Sequence, residues 1–313
     1  MCAAPQFRDL ALRATVAQGG GAIPFVSLQP GMRTSLKSLY HCPMNSAIPT
    51  LIDLQTFPLD QPDSPAWQAL VQRCRAELDG GGMFELPGFL KPQALADCVA
   101  TITPRMALES AEIRRDHNIY FLDRVDGLPD DHPALQKITT INHTLCADQL
   151  RDTPLTHVYE WPHFRQFIAA TMQLPVLHLM DDELARVNVM SYRPGEALNW
   201  HFDRSEFTTT LLLQRARKDG VFQYRRGLRT DTDPNYEGVA RMLTGQDPEV
   251  ISADLTPGAL NVFRGRNTAH RVTTVGGDQE RLVAVFSLYE KPGVRFSEAE
   301  NLGFYKRARA FAA

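Results

Sequence analysis

The chain runs to 313 residues, 43% hydrophobic and 22% charged, with 33 basic against 36 acidic side chains for a net charge of −3. Those values suit a globular protein of one or two domains with a sizeable core, and no lysine- or arginine-rich block suggests nucleic acid as a partner. No apolar run approaches the roughly 20 residues of a membrane span, so no membrane partner is expected.

Residues 1–50 read as an N-terminal extension. Gly19-Gly20-Gly21, Pro24, Pro30 and Gly31 punctuate it, and no apolar period persists long enough to make an element. Met32 and Met44 fall within it as alternative starts. Asp9 and Arg13 interrupt the stretch where a secretory leader needs apolar residues. The cysteines, Cys2, Cys42, Cys74, Cys98 and Cys146, include no CxxC pair, which disfavours a disulfide framework or a thiolate zinc site. The expected location is the cytoplasm.

Residues 51–313 read as one domain. Ser64-Pro65 is a helix start, a capping serine followed by proline at the first helical position. Trp67, Leu70, Val71, Cys74 and Leu78 follow at helical spacing, and Gly80-Gly81-Gly82 stops the helix. Met83 to Leu86 reads as a strand ended by Pro87-Gly88, Lys91 to Leu108 as a second helix, and Tyr159 to Met172 as a third. These elements make a helical support spanning about 64–180.

The texture changes near residue 185. Arg186 to Tyr192 alternates and turns at Arg193-Pro194-Gly195; strand-like runs follow over 207–214, 221–224, 259–263, 270–275 and 281–289. Short runs separated by Gly, Pro, Asp and Asn suggest an antiparallel sandwich or barrel. Helices precede strands instead of alternating with them, so the expected class is α+β, with a double-stranded β-helix (jelly-roll) core over about 185–290 and a C-terminal tail over 291–313.

Of nine histidines only His201 has an acid two places on, in His201-Phe202-Asp203. On a strand, residues i and i+2 point to one face, so an imidazole and a carboxylate can meet one ion. His270, at the head of a β-branched run, offers a third ligand from another strand. Two imidazoles and a carboxylate on one side of an octahedral ion leave three positions open, the facial arrangement of non-haem iron(II) oxygenases. Eleven residues past His270, Arg281 opens a run in which Arg281, Val283, Val285 and Ser287 share a face by period two. An arginine facing a barrel interior is costly without an anion, and its fork suits a dicarboxylate co-substrate chelating the same ion. Taken singly, a strand histidine is more often a satisfied core or surface residue, and an arginine more often an ion-pair partner. The order and strand context of all four carry the reading.

His201-x-Asp203, His270 and Arg281 resemble the signature of the iron(II)/2-oxoglutarate-dependent oxygenases. The upstream Val187 to Gly195 resembles the strand and turn of the prolyl-4-hydroxylase-like branch. The stretch from about Asp131 to Arg307 is most similar to bacterial enzymes that hydroxylate or halogenate free amino acids; it includes Trp200-His-Phe-Asp203, Thr208 to Gln214 and Phe263 to Val272. The resemblance implies that His201, Asp203 and His270 bind Fe(II), with 2-oxoglutarate and O2 as co-substrates, and that Arg281 pairs with the distal carboxylate of 2-oxoglutarate. Tyr192 matches a position that lines the pocket in related enzymes, although a sheet aromatic packed on its neighbours reads equally well. Ser287 reaches co-substrate or substrate on this reading; a hydroxyl bonded to backbone is its plainer alternative. Halogenating members carry a small residue where this chain has Asp203, so hydroxylation, desaturation or ring closure is implied.

The implied substrate is a small molecule, a free amino acid or related amine-bearing metabolite. Arg204, Ser205 and Glu206 leave the ligand strand where charged groups can read an amino acid's ends, and a solvated turn is the competing reading. The segment from Asn118 to Arg124 can close over the pocket, and Tyr305 sits in a tail that tends to fold back over it in this group. The arginines at 215, 217, 225 and 226 read as a solvated edge. Two further readings stay open: a zinc-dependent hydrolase, against which Arg281 weighs, and a non-catalytic jelly-roll binding protein, against which the full ligand set weighs.

Overall fold

A computed structural model of the chain describes residues 44–311. The glycine-punctuated stretch before Met44 lies outside the described residues. Helix α1 (Met44–Leu51) brings Ile48 and Leu51 into the core. Helix α2 (Pro65–Gly81) starts as its sequence dictates: the Ser64 hydroxyl accepts the Trp67 N–H at 3.2 Å. It ends at Gly82, whose φ of +80° lets the chain turn left-handed without a Cβ penalty. Trp67, Leu70, Val71, Cys74 and Leu78 are all buried. Strand β1 (Met83–Leu86) and helix α3 (Pro92–Glu109) follow.

Two strands then appear where the sequence suggested helical support: β2 (Ala111–His117) and β3 (Ile138–Leu145) pair antiparallel. The helix expected over 159–172 is two helices, α4 (Pro154–Glu160) and α5 (Pro162–Thr171). Pro162 explains the break, since it lacks an N–H and holds Trp161 extended at φ −68°, ψ 122°. The remaining elements are β4 (His178–Leu179), β5 (Val187–Tyr192), β6 (Leu198–His201), β7 (Thr208–Gln214), β8 (Lys218–Asp219), β9 (Phe222–Arg225), α6 (Tyr236–Leu243), β10 (Ile251–Ala253), β11 (Leu260–Phe263), β12 (Ala269–Val272), β13 (Val275–Gly276), β14 (Arg281–Phe286), β15 (Leu288–Tyr289) and α7 (Glu298–Tyr305).

Two antiparallel sheets carry the fold. The larger runs β1-β11-β7-β14-β5-β3-β2, the smaller β10-β9-β12-β6. Period-two alternation divides the larger sheet into two working faces. Leu282, Ala284 and Phe286 of β14, Leu211 and Leu213 of β7, and Val187 and Val189 of β5 pack on the helical layer with Phe164, Phe167 and Ile168 of α5. Each fully buried Leu or Phe there contributes roughly 1.5–3 kcal/mol. On the other face, Tyr192, Leu212, Phe263 and Val283 meet Phe222, Tyr224 and Val272 of the smaller sheet. The result is the expected α+β architecture with a double-stranded β-helix core.

Arg215, Arg217 and Arg225, expected at a solvated edge, pair with Asp254, Asp278 and Asp247. No helix among the described residues is long and apolar enough to cross a membrane.

Candidate active site

Strands β6 and β12 are hydrogen-bonded neighbours, in a register that sets His270 directly opposite His201. Their ring centroids are 4.0 Å apart. Each imidazole is fixed from behind: Nδ1 of His201 lies 2.9 Å from the Asn199 carbonyl and Nδ1 of His270 lies 3.0 Å from the Thr268 carbonyl. A carbonyl only accepts, so each Nδ1 carries the proton and each Nε2 presents a lone pair to the space between the strands. Burial, reinforced by His270, lowers the pKa of His201 and favours that neutral form.

Asp203 reaches the same space from just beyond β6, which ends at His201. Its N–H donates to the Gly265 carbonyl at 3.0 Å, so the turn after β11 holds it in place of a strand partner. Its two oxygens lie 3.4 Å from Nε2 of His201 and 3.4 Å from Nε2 of His270, and the hydroxyl of Thr208 donates to Oδ2. Burial opposes ionisation of Asp203, but whenever the imidazoles of His270 and His201 also carry a proton on Nε2 their charge and hydrogen bonds outweigh it and hold the carboxyl well below its usual range. Gly265 makes room for this: a Cβ there would sit 2.4 Å from Asp203 Oδ2 and 2.4 Å from Thr208 Oγ1. The three ligand atoms lie within 4.8 Å of one another. Two imidazole nitrogens and a carboxylate on one side of a common point fit a divalent metal of the iron group.

Arg281 opens β14 directly across from Tyr192 of β5. It is only 4% exposed, and among the described residues no carboxylate pairs with it. Burial pulls its pKa down to about 10, so the guanidinium remains charged at neutral pH. A buried cation without a counter-ion costs several kcal/mol, and an anionic ligand removes that cost. Burial pushes the Tyr192 phenol up to about 12, and its hydroxyl meets Met190 Sδ at 3.7 Å.

His201, Asp203, His270, Arg281, Tyr192 and Arg204 all line one cavity of about 660 Å³. Four other candidates do not. The Ser287 hydroxyl donates to the Ala185 carbonyl at 2.9 Å, because β14 ends at Phe286 and the two-residue period stops there. Glu206 pairs with Arg264 at 3.4 Å and faces a neighbouring depression. Arg124 stands in solvent beside Asp126. Tyr305 is buried beneath the tail and donates to Asn188 Oδ1 at 3.0 Å; its neighbour Phe304 lines the cavity instead.

The segment after β2 meets the cavity through Ile119, Tyr120 and Phe121, held by the Asn118 side chain, which accepts the N–H groups of Tyr120 and Leu122 at 3.1 Å each. Arg115 and His117 of β2 and Arg229 also line it, and sequence reasoning missed all three. For the two on β2 the signal is the alternation Ile113, Arg115, His117, obscured by the charges between them; Arg229 lies on the loop after β9 and has no such signal.

A family model described as Halogenase D matches residues 69–296. Among solved structures, the fold is similar to a 2OG-Fe(II) oxygenase family oxidoreductase from Burkholderia pseudomallei, at 15% identity over 72% of this chain and 92% of that chain, with a TM-score of 0.45. It is also similar to the non-heme alpha ketoglutarate dependent epimerase SnoN from nogalamycin biosynthesis, at 13% identity over 71% and 83%, with a TM-score of 0.48. A Pseudomonas putida prolyl-4-hydroxylase matches at 13% identity over 69% and 97%, with a TM-score of 0.43. No curated protein matches the sequence.

Proposed function

The chain belongs to the Halogenase D family, and on that premise we propose that it is an iron(II)/2-oxoglutarate-dependent oxygenase that hydroxylates a free amino acid or related small amine-bearing metabolite, desaturation or ring closure being variants of the same oxidation. The observation that carries this is the pairing of a His–Asp–His triad with a buried, unpaired Arg281 in one cavity. A hydrolytic zinc site has no use for that cation, whereas a keto-diacid chelating the triad's metal gives it a counter-ion.

His201, Asp203 and His270 would hold the metal, and the Asn199 and Thr268 carbonyls keep both imidazoles turned toward the space between them. Arg281 grips the distal carboxylate of 2-oxoglutarate, with Tyr192 packed alongside. Iron(II), when bound with 2-oxoglutarate and O2, would supply the C–H-oxidising chemistry, 2-oxoglutarate ending as succinate and CO2. The chain's own task is to orient one substrate C–H bond and keep water out. Phe222, Phe263, Val272 and Val283 make the wall that does so.

The family name speaks of halogenation, and Asp203 argues for hydroxylation here. Its carboxylate stands between the two imidazoles, where halogenating relatives leave room for a halide. The test is a panel of free amino acids incubated with iron(II), 2-oxoglutarate and O2, with succinate and products followed by mass spectrometry. Substrate-dependent succinate with a product heavier by one oxygen supports the reading. A chlorinated product from the unaltered enzyme contradicts it.

A further inference from the structure

The cavity is strongly asymmetric in charge. Arg115, Arg204, Arg229, Arg266 and Arg281 line it, and Asp203 is its one acidic lining residue. Two of these cations already have partners: Arg204 meets Glu300 at 2.7 Å, and Arg266 lies 4.0 Å from Asp231. If iron(II) and 2-oxoglutarate occupy the site as proposed above, their charges cancel and Asp203 offsets Arg281. Arg115 and Arg229 are then left over.

Among the described residues neither forms a salt bridge, although Asp231 and Asp203 lie near enough to Arg229 to support its charge. Nε of Arg115 is buried without a hydrogen-bond partner, and its guanidinium stands 4.9 Å from the Phe304 ring centroid. Burial lowers its pKa, so the fold maintains this cation against a desolvation cost. The guanidinium of Arg229 stacks 4.0 Å over Phe202, its Nε donating to the Arg266 carbonyl at 2.8 Å. Aromatic faces orient both forks while leaving N–H groups free for a ligand. Phe202 separates His201 from Asp203 in sequence, so Arg229 packs on the metal-ligand segment itself.

We propose that the substrate carries two acidic groups, one received by Arg115 and the other by Arg229, and that the cavity rejects molecules ending in an ammonium group. The α-ammonium common to every amino acid can meet neutral polar lining residues such as Asn142 and Thr210, but a second ammonium at the side-chain end finds no carboxylate lining the cavity except Asp203, which the metal engages, and it meets the guanidiniums of Arg115 and Arg229. A dicarboxylic amino acid and a phosphorylated amino acid share the required chemistry. This inference rests on the oxygenase reading, because that reading assigns Arg281 to 2-oxoglutarate.

The experiment is anaerobic calorimetric titration of the full chain loaded with iron(II) and 2-oxoglutarate, after the visible band of the chelate has been seen. The probes are L-aspartate, L-glutamate, L-O-phosphoserine, L-ornithine and L-lysine. At least one acidic probe should bind and both ammonium-ended ones should not; aspartate or glutamate against phosphoserine distinguishes the two acid sources. Arg115→Gln and Arg229→Gln should each weaken the acidic probe by about tenfold or more, Arg115→Lys should lose less than Arg115→Gln, and the 2-oxoglutarate Kd read from the chelate band should stay unchanged. Binding of ornithine or lysine in preference to every acidic probe overturns the proposal, as does failure of all three acidic probes or an unchanged affinity in both Gln variants. Absence of the chelate band overturns the oxygenase reading instead, and this inference with it.

Discussion

His201 and His270 face each other across the β6–β12 ladder, so a single strand register brings two metal-ligand candidates to one point. A one-residue slip would turn one imidazole to the opposite face. His201→Ala or His270→Ala should therefore abolish turnover while leaving the circular dichroism spectrum and thermal transition near those of the parent. Substantial succinate formation by either variant would show that the ligand set is wrong.

Arg281 has no protein counter-ion among the described residues, so its removal should be felt mainly by the co-substrate. Arg281→Ala should raise the 2-oxoglutarate KM by roughly 30-fold or more, the scale for truncating one side of a buried charge pair. Steady-state kinetics with varied 2-oxoglutarate checks this, and an unchanged KM removes the assignment.

Gly265 is required by the close approach of Asp203, not by its own backbone. Gly265→Ala should displace the Asp203 carboxylate and its Thr208 partner, because a Cβ would lie 2.4 Å from both oxygens. Iron(II) affinity should fall about 10- to 100-fold, as is typical when the support of a metal ligand is disturbed, with folding retained. Metal titration measures this directly. An unchanged affinity would mean that Asp203 does not need its present position.

Asp203→Gly should abolish hydroxylation while leaving Arg281 in place. Product analysis with and without added chloride tests whether the freed position admits a halide. Full hydroxylation by this variant contradicts the ligand role.

Much of this arrangement is legible in the residues. Ser64-Pro65 and Gly82 mark the two ends of α2, and the alternation of β14 puts Leu282, Ala284 and Phe286 against the helices, with Arg281 and Val283 facing the cavity. The failures also have physical causes. In β2 the inward positions Arg115 and His117 carry polar side chains and the outward ones are exposed, so no apolar alternation survives to mark a strand. The two-residue period that would carry Ser287 to the cavity face ends with β14 at Phe286. Tyr305 and Phe304 differ by one helical step of about 100°, and only the packing of α7 decides which ring meets the cavity.

The half-buried ion pair under the tail gives a pH signature separate from the site. Asp148 accepts two hydrogen bonds from Arg307 at 2.8 Å each and a third from the Phe311 N–H at 2.8 Å. Burial opposes its ionisation, but Arg307 and the Phe311 N–H outweigh that and hold the carboxyl below the ordinary carboxylate range. A depressed carboxylate adds stability above its unfolded pKa, which is lost as pH falls through the folded value. The melting temperature should thus fall with acidification below about pH 4. Asp148→Asn should cost about 1.5 kcal/mol at neutral pH, the scale of a charged hydrogen bond, and flatten that part of the acid profile. An Asn variant with unchanged stability and profile would show that the pair does not anchor the tail.

The most direct measurement is anaerobic addition of iron(II) and 2-oxoglutarate to the metal-free protein, followed by visible spectroscopy. The wild-type chain should develop the weak charge-transfer band of the chelate, His201→Ala should show none, and Arg281→Ala should require far more 2-oxoglutarate to reach it. A folded wild-type protein that develops no band at saturating iron(II) and 2-oxoglutarate contradicts the account.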